Sequence, residues 1–391
     1  MQKNQYPEFE IVCISTADWD APLWTNKQHM MNGLNAKGSK VLYINSIGLR
    51  SPGLNSRDLL RILKRVIDWR PYAIERSHNL WVDAPLVLPM SNTFYRYLNK
   101  HLLRFRMSRN LKRIGFSKPI IWTYHPYVET YFRNLDRYPI VYHCVDNLAD
   151  YPGVDSDVYI STEKIFLKHA IKVMTSSKPL IELLKNRGAK DLVYWPNPAN
   201  MSTTLTNFPK FDAKKIVVGF IGAINEEKLN FSLISEIAEK HPTLDFYFYG
   251  PLGDGLKSSK YKINTLPKNV MFKGYINFGS IPEILQTFTF AWIPYSINPY
   301  TKYVFPMKIY EYYGQGLMVV STELPSLVDQ EIPLLNFISS SSDFEKIFSR
   351  FIASDDAIKR SEAQIRISHA AKHSWENRIN EAIFLLGGIS T

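Results

Sequence analysis

Apolar residues fall along this chain in two kinds of pattern, and their alternation predicts its architecture. Short, nearly continuous runs read as strands buried on both faces: FEIVCIS at 9–15, KVLYINS at 40–46, KPIIWTYHP at 118–126, PIVYHCVD at 139–146, KVMTSS at 172–177 and DLVYWPNP at 191–198. Between them the apolar positions take helical spacing, at 26–38, at two basic stretches over 57–70 and 94–113, and at about 157–169 and 178–187. Buried strands separated by helices predict a parallel sheet covered on both sides. The pattern pauses over 198–214, rich in Pro, Asn, Ser and Thr, and then restarts. KIVVGFIGAINEEK at 215–228 is strand, glycine turn and helix start, and LDFYFYGP, NVMFKGY, TFAWIPY and LMVVST supply further strands. The sequence therefore predicts an α/β chain of two doubly wound domains, 1–197 and 215–370, joined by a linker over 198–214. A last helix, 371–391, is expected to cross back to the first domain. Two such sheets would face each other across a cleft at their carboxyl edges, where ligands of open sheets bind.

Composition narrows this. The chain has 391 residues, 45% of them apolar, enough for two cores and with no disordered or repetitive tract. Cys13 and Cys144 both sit in strand-like runs and read as buried thiols, as expected in a reducing compartment. The first residues, MQKNQYPEFEIVCIS, lack a basic segment leading into an apolar signal core, and no apolar run approaches the roughly 20 residues that span a bilayer. The formal charge of +11 gathers in the two basic helices. There Arg57, Arg61, Lys64 and Arg65, and later Arg104 and Arg106, flank leucines and aromatics in the manner of helices lying on an anionic membrane. Ordinary surface helices remain an alternative reading. Nucleic acid is not expected as a partner, because no recognition motif accompanies the charge. The expected setting is cytoplasmic, on the inner face of the membrane.

The stretch with most chemistry is FPMKIYEYYGQGLMVVST, 305–322. Pro306 suits a first helical position and Gly316 the residue past the end, so a helix is predicted over 306–315. Lys308 and Glu311 share its first turns, where free N–H groups and the helix dipole favour an anion. A diphosphate could take the amides and the ammonium, and the carboxylate could accept from ribose hydroxyls. A surface ion pair is the plain alternative. In VYHCVDNLADYPG, 141–153, Asp146 stands at a strand end as a candidate base for deprotonating a hydroxyl, with His143 a weaker candidate. In STADWDAPLW, 15–24, the residues Asp18, Trp19, Asp20 and Trp24 would suit stacking on and hydrogen bonding to a sugar. The triplets DWD at 18–20 and DSD at 155–157 could suggest a metal pair, but Asp155 precedes a helix as a cap does, and no metal is expected.

Three segments carry a resemblance: VGFIGAINEEKLNFSLISEIAEKHPTLDFYFYGP, WIPYSINPYTKYVFPMKIYEYYGQGLMVVSTELP and HSWENRINEAIFLL. They resemble the nucleotide-sugar-binding half of GT-B glycosyltransferases of the EX7E type, in the polysaccharide-synthesis branch that includes teichuronic acid and xanthan glycosyltransferases. The likeness covers about 190–385 well and the first half loosely. It implies that Gly222 lets a donor diphosphate approach the backbone, that Lys228 and Lys308 bind phosphate, and that Glu311 holds the ribose. It also places Tyr295, Ser296 and Met307 around the same pocket, and sets Asp146 near the acidic base of the xanthan enzyme. The first EX7E glutamate is replaced by Tyr303. The implied activity is transfer of a sugar from a nucleotide-sugar, a UDP-sugar, to a lipid-linked saccharide, with no cofactor or metal. A silent sugar- or membrane-binding scaffold and a nucleotide-sugar epimerase are the alternatives.

Overall fold

The computed structural model describes residues 7–21, 24–47, 69–87, 93–151, 153–199, 215–252, 265–328 and 330–390. Arg57, Arg61, Lys64 and Arg65, and most of the linker expected over 198–214, lie outside them.

The chain divides into two compact units, residues 1–196 with 375–391, and residues 197–374. The first holds an eight-stranded sheet. Its strands are β1 (Glu10–Ile14), β2 (Lys40–Ile44), β3 (Ile74–Ser77), β4 (Leu80–Asp83), β5 (Ile120–Thr123), β6 (Ile140–Cys144), β7 (Lys172–Thr175) and β8 (Leu192–Tyr194). They are ordered β3-β4-β2-β1-β5-β6-β7-β8. All neighbours pair in parallel except β3 with β4, an antiparallel edge. All five residues of β6 are buried, as the unbroken apolar run predicts for a strand covered on both faces. β3 and β4 escape the sequence pattern. Every β3 residue is exposed, and their turn is made by Asn79 in the left-handed region at φ 62°, a conformation Asn tolerates.

Polar side chains fix the ends of these elements. The helix Asn26–Ala36 opens on a capping box, with Gln28 accepting from the Thr25 amide at 3.0 Å. Asp155 accepts from the Val158 amide at 3.1 Å and caps the helix Ser156–Phe166, so its place in the DSD triplet is capping. Behind β6, Glu163 is 1% exposed and accepts from Tyr142 and from Arg187, both at 2.5 Å. Arg187 also donates to the Asn147 side chain at 3.1 Å, which anchors the loop that carries Asp146.

Arg106 corrects an expectation. It lies on the inner face of the helix Thr93–Ile114, with its Nε 2.9 and 3.0 Å from the two Asp83 oxygens, and its side chain is 12% exposed. A cation committed to a buried carboxylate is not a membrane contact. Arg106→Ala is expected to lower unfolding stability by about 2 kcal/mol, read by urea denaturation, because Asp83 would keep Asn110 as its one side-chain partner among the described residues. An unchanged midpoint would show that the pair contributes nothing.

The second unit holds six parallel strands: β9 (Val217–Ile221), β10 (Asp245–Tyr249), β11 (Val270–Gly274), β12 (Phe290–Ile293), β13 (Met318–Thr322) and β14 (Asn336–Ile338). They are ordered β11-β10-β9-β12-β13-β14. Its core is aromatic, with Trp292, Phe220 and Phe246 at 0% exposure, each burial contributing about 1.5–3 kcal/mol. The final helix, Trp375–Ser390, belongs to the first unit, where it packs on Asn26–Ala36.

Candidate active site

In the second unit the chain winds from β9 outward to β11, then restarts at β12 on the other side of β9. The strand ends at such a reversal form the crevice where open α/β sheets take ligands. Gly222 directly follows β9, and its amide donates to the Tyr249 carbonyl at 2.8 Å. A Cβ there would lie 2.8 Å from Lys308 Nζ and 3.1 Å from its Cε, so the glycine makes room for the lysine. Gly250, φ 136°, sits behind it, and a Cβ on Gly250 would come within 2.0 Å of the Gly222 carbonyl oxygen.

Lys308 opens the helix Lys308–Gly314. Tyr312 lies one turn on, on the same face, and its hydroxyl accepts from the Ile221 amide at 3.0 Å, which ties the helix to the end of β9. The Lys308 ammonium donates to Tyr295 Oη at 3.2 Å. From the opposite side, the Asn230 amide donates to Pro294 O and the Ser296 amide to Lys228 O, both at 2.8 Å. That stitching lays the Lys228 ammonium 4.9 Å from the Tyr295 ring centre. Burial alone would raise the Tyr295 phenol, but the ammonium groups of Lys228 and Lys308 outweigh it and hold its pKa below the ordinary value.

Glu311 stands three residues after Lys308, partly buried. Burial raises its pKa, and the nearby Lys308 ammonium offsets part of that rise. Among the described residues no protein donor hydrogen-bonds its carboxylate. The helix itself is shorter than the predicted 306–315. Pro306 and Met307 precede it, and their carbonyls accept from the Ile309 and Tyr310 amides at 3.2 and 3.1 Å. Those two N–H groups are therefore committed internally, and positive charge at this end rests on the lysines rather than on free amides. Tyr303 sits in the turn before, half-buried, with the Lys302 ammonium 5.4 Å from its ring centre.

The first unit has its own winding reversal, between β1 and β5. Asp146 follows β6, half-buried. The nearest feature absent from the sequence reading is Lys27, 8% exposed in the first turn of Asn26–Ala36. Burial lowers its pKa, and the field of Asp146 is the first influence opposing that. Its ammonium also lies 5.6 Å from the Tyr124 ring centre. A lysine that accepts this desolvation beside a carboxylate is a perturbed pair of the kind active sites collect.

No family model matches the chain. A stretch of 118 residues, 30% of the chain, is 35% identical to TuaH of Bacillus subtilis (strain 168), described as a teichuronic acid biosynthesis glycosyltransferase, and spans 29% of that protein's length. Whole-chain similarity appears in solved structures. Sucrose-phosphate synthase from Thermosynechococcus elongatus superposes with a TM-score of 0.72 at 16% identity, covering 98% of this chain and 99% of that one. Anabaena HepE, solved with UDP and glucose, superposes at 0.64 and 14% identity, covering 97% and 100%. The fold is GT-B.

Within this GT-B chain the second unit brings Gly222, Lys228, Tyr295, Ser296 and Lys308 together, with Glu311 one turn on. The first unit corrects three expectations. Trp19 is 8% exposed, its ring 5.1 Å from Trp24 and 5.0 Å from Tyr43, so it is a packed residue and not a stacking platform. Asp20 pairs with Arg76 at 2.6 Å on the surface, so its carboxylate is engaged by a protein cation. His143 is 3% exposed among Trp122, Tyr124 and Trp195, and neither ring nitrogen has a hydrogen-bond partner among the described residues. Burial, with the fields of Lys27 and Arg378, pushes its pKa well below the ordinary value, as for a packed neutral imidazole. Asp18 is half-buried, and its carbonyl accepts from Gln28 Nε2 at 2.9 Å. Tyr312, which seats Lys308, was also missed. Its signal was spacing, four residues from a lysine of interest in a helix.

Proposed function

We propose that this chain is a glycosyltransferase of cell-surface polysaccharide synthesis, moving a sugar from a nucleoside-diphosphate sugar, a UDP-sugar, to a hydroxyl of a lipid-linked saccharide. The observation that carries the reading is the pair of lysines converging on Tyr295 beside Gly222 at the β9–β12 reversal. Transfer leaves a nucleoside diphosphate whose charge grows as the glycosidic bond breaks, and positioned ammonium groups stabilise that charge. Glu311, with no protein donor of its own among the described residues, accepts from ribose hydroxyls. Asp146 in the first unit takes the acceptor's proton, and it stands close enough to the buried Lys27 for its charge to be felt there. With the lysines supplying the charge, no step is assigned to a metal ion.

The curated relative's description supports the polysaccharide setting, and the UDP and glucose bound to HepE support the donor class. No helix among the described residues is long and apolar enough to cross a membrane. The exposed Phe94, Tyr97, Leu102 and Phe105 on the helix Thr93–Ile114 support an enzyme resting on the inner membrane face, where its acceptor would be anchored. Calorimetric titration of the protein with UDP, GDP and dTDP tests the donor reading. UDP is expected to bind with a stoichiometry of one and the others more weakly. Binding of none of the three would overturn the proposal.

A further inference from the structure

Two ammonium groups of the second unit meet on one side chain, and that side chain is a phenol. Tyr295 follows β12 and is 1% exposed. Its backbone is fixed from two sides. The Thr322 hydroxyl at the end of β13 donates to its carbonyl at 2.8 Å, and Leu229 pairs with it across an antiparallel bridge. Its ring stands edge-on to Phe220 of β9, with centres 6.2 Å apart. Packing thus gives the phenol oxygen one place.

Lys308 Nζ donates to that oxygen at 3.2 Å and lies 5.2 Å from the Phe220 ring centre. The Lys228 ammonium, from the segment leading into the helix Phe231–Lys240, lies 4.9 Å from the Tyr295 ring centre. Tyr312 on the helix Lys308–Gly314 is a further titratable neighbour, while β9 and β13 bring Phe220 and Thr322, which carry no charge. No carboxylate acts on the phenol among the described residues, and Glu311 interacts with Lys308 and Tyr312 instead. Two like charges on long, flexible stems gather at one place only where something accepts from them. A carboxylate would gather them and neutralise the charge that a diphosphate needs. A phenol oxygen gathers them and leaves the charge in place. An ammonium has three donors, so one spent on Tyr295 leaves two for a ligand.

We propose that Tyr295 is a positioning residue of the donor site, whose phenol oxygen gathers Lys228 and Lys308 before a nucleoside diphosphate arrives and holds them while their remaining N–H groups take the phosphates. The inference rests on the proposed function, since it assigns how the lysines of that site are preorganised. It carries a pH signature. Burial raises the phenol's pKa, and the two lysines outweigh burial and leave it below the ordinary value. A diphosphate placed beside it repels the phenolate and raises the pKa again. The neutral phenol is therefore the form that accompanies bound diphosphate. At alkaline pH, UDP binding takes up protons from solvent, and affinity falls as pH rises through the phenol pKa of the free protein.

The test is calorimetric titration of UDP into wild type and Tyr295→Phe between about pH 7 and about pH 9.5, in two buffers of different ionisation enthalpy at each pH, which counts the protons exchanged. Phenylalanine keeps the ring and its packing and loses the oxygen alone, and a thermal melt checks the fold. At neutral pH the variant is expected to bind UDP about ten-fold more weakly, because long side chains are then immobilised during binding and not before it. Toward the alkaline end wild type is expected to lose affinity and take up part of a proton, and the variant to show less of both, so the gap narrows. Equal affinity at neutral pH would overturn the inference. A weaker variant with the pH dependence and proton count of wild type would make Tyr295 a packing residue and overturn it as well. If the variant melts early, the wild-type count decides, and no uptake at the alkaline end overturns the inference. Wild type that binds none of UDP, GDP and dTDP would strike the donor reading and this inference with it. Wild type that binds UDP beside an indistinguishable Tyr295→Phe would strike the inference alone.

Discussion

Lys308→Ala is expected to lower the rate of sugar transfer by roughly 10²–10³-fold, with the thermal midpoint moved by no more than about 2 °C. The magnitude follows from position. The ammonium sits 3.2 Å from a buried phenol and 2.8 Å from where a Cβ on Gly222 would stand, at the strand ends where a donor diphosphate would approach. It is held there by packing, so no reorganisation is needed when charge develops on the leaving group. Stability should hold because the helix is anchored by Tyr312 on the Ile221 amide and not by the lysine. Lys308→Arg separates charge from geometry: a planar fork replaces a point charge in a space bounded by Gly222 and Tyr295, and only part of the rate should return. The measurement is steady-state transfer at saturating donor, beside a thermal melt of each variant. Normal turnover in Lys308→Ala would sink the assignment, and a large fall in the midpoint would make the lysine structural.

That such a residue could be singled out from sequence, while Lys27 could not, has a physical reason. Lys308 lies between Pro306 and Gly316, whose backbone preferences mark a short helix, and its partner Glu311 is a near neighbour in the chain. Lys27 acquires meaning only when β1 and β6 bring it near Asp146, more than a hundred residues away. The strands were legible for the same reason as Lys308: β6 and β9 are unbroken apolar runs, and burial on both faces leaves no other pattern. β3 was not, because an exposed edge strand has no buried face to impose an alternation. The first-unit tryptophan Trp19 misled because a loop rich in aromatics and carboxylates has one composition whether the rings face a sugar or each other. Only the contacts with Trp24 and Tyr43 distinguish the two. Arg106 misled likewise, since one helix presents basic residues both to solvent and to Asp83. The helix beginning at Lys308 starts two residues later than the predicted 306–315 and ends one residue earlier, because Pro306 at a first helical position and Pro306 in the preceding turn look alike in sequence.

Glu311→Gln is expected to weaken UDP binding by roughly 10- to 100-fold and at the same time to stabilise the protein by about 1 kcal/mol at neutral pH. The two effects have one cause. The carboxylate is partly buried and no protein donor among the described residues meets it, so ionisation is costly in the free protein and its pKa is raised. A group whose folded-state pKa lies above its unfolded value contributes stability below the unfolded value and loses it as pH rises through the folded one. Wild type should therefore lose stability as pH rises above the ordinary carboxylate range, and Glu311→Gln should lack that component. Glutamine keeps the shape and one acceptor oxygen but forgoes the charge that strengthens bonds from ribose hydroxyls, so affinity falls while the cost of the buried charge disappears. Isothermal titration with UDP and thermal melts between pH 4 and 8 read both effects on the same samples. Unchanged affinity would remove the ribose from Glu311. A variant that binds less and is also less stable would place the carboxylate in the architecture of the helix, and the trade between binding and stability expected of a donor site would be gone.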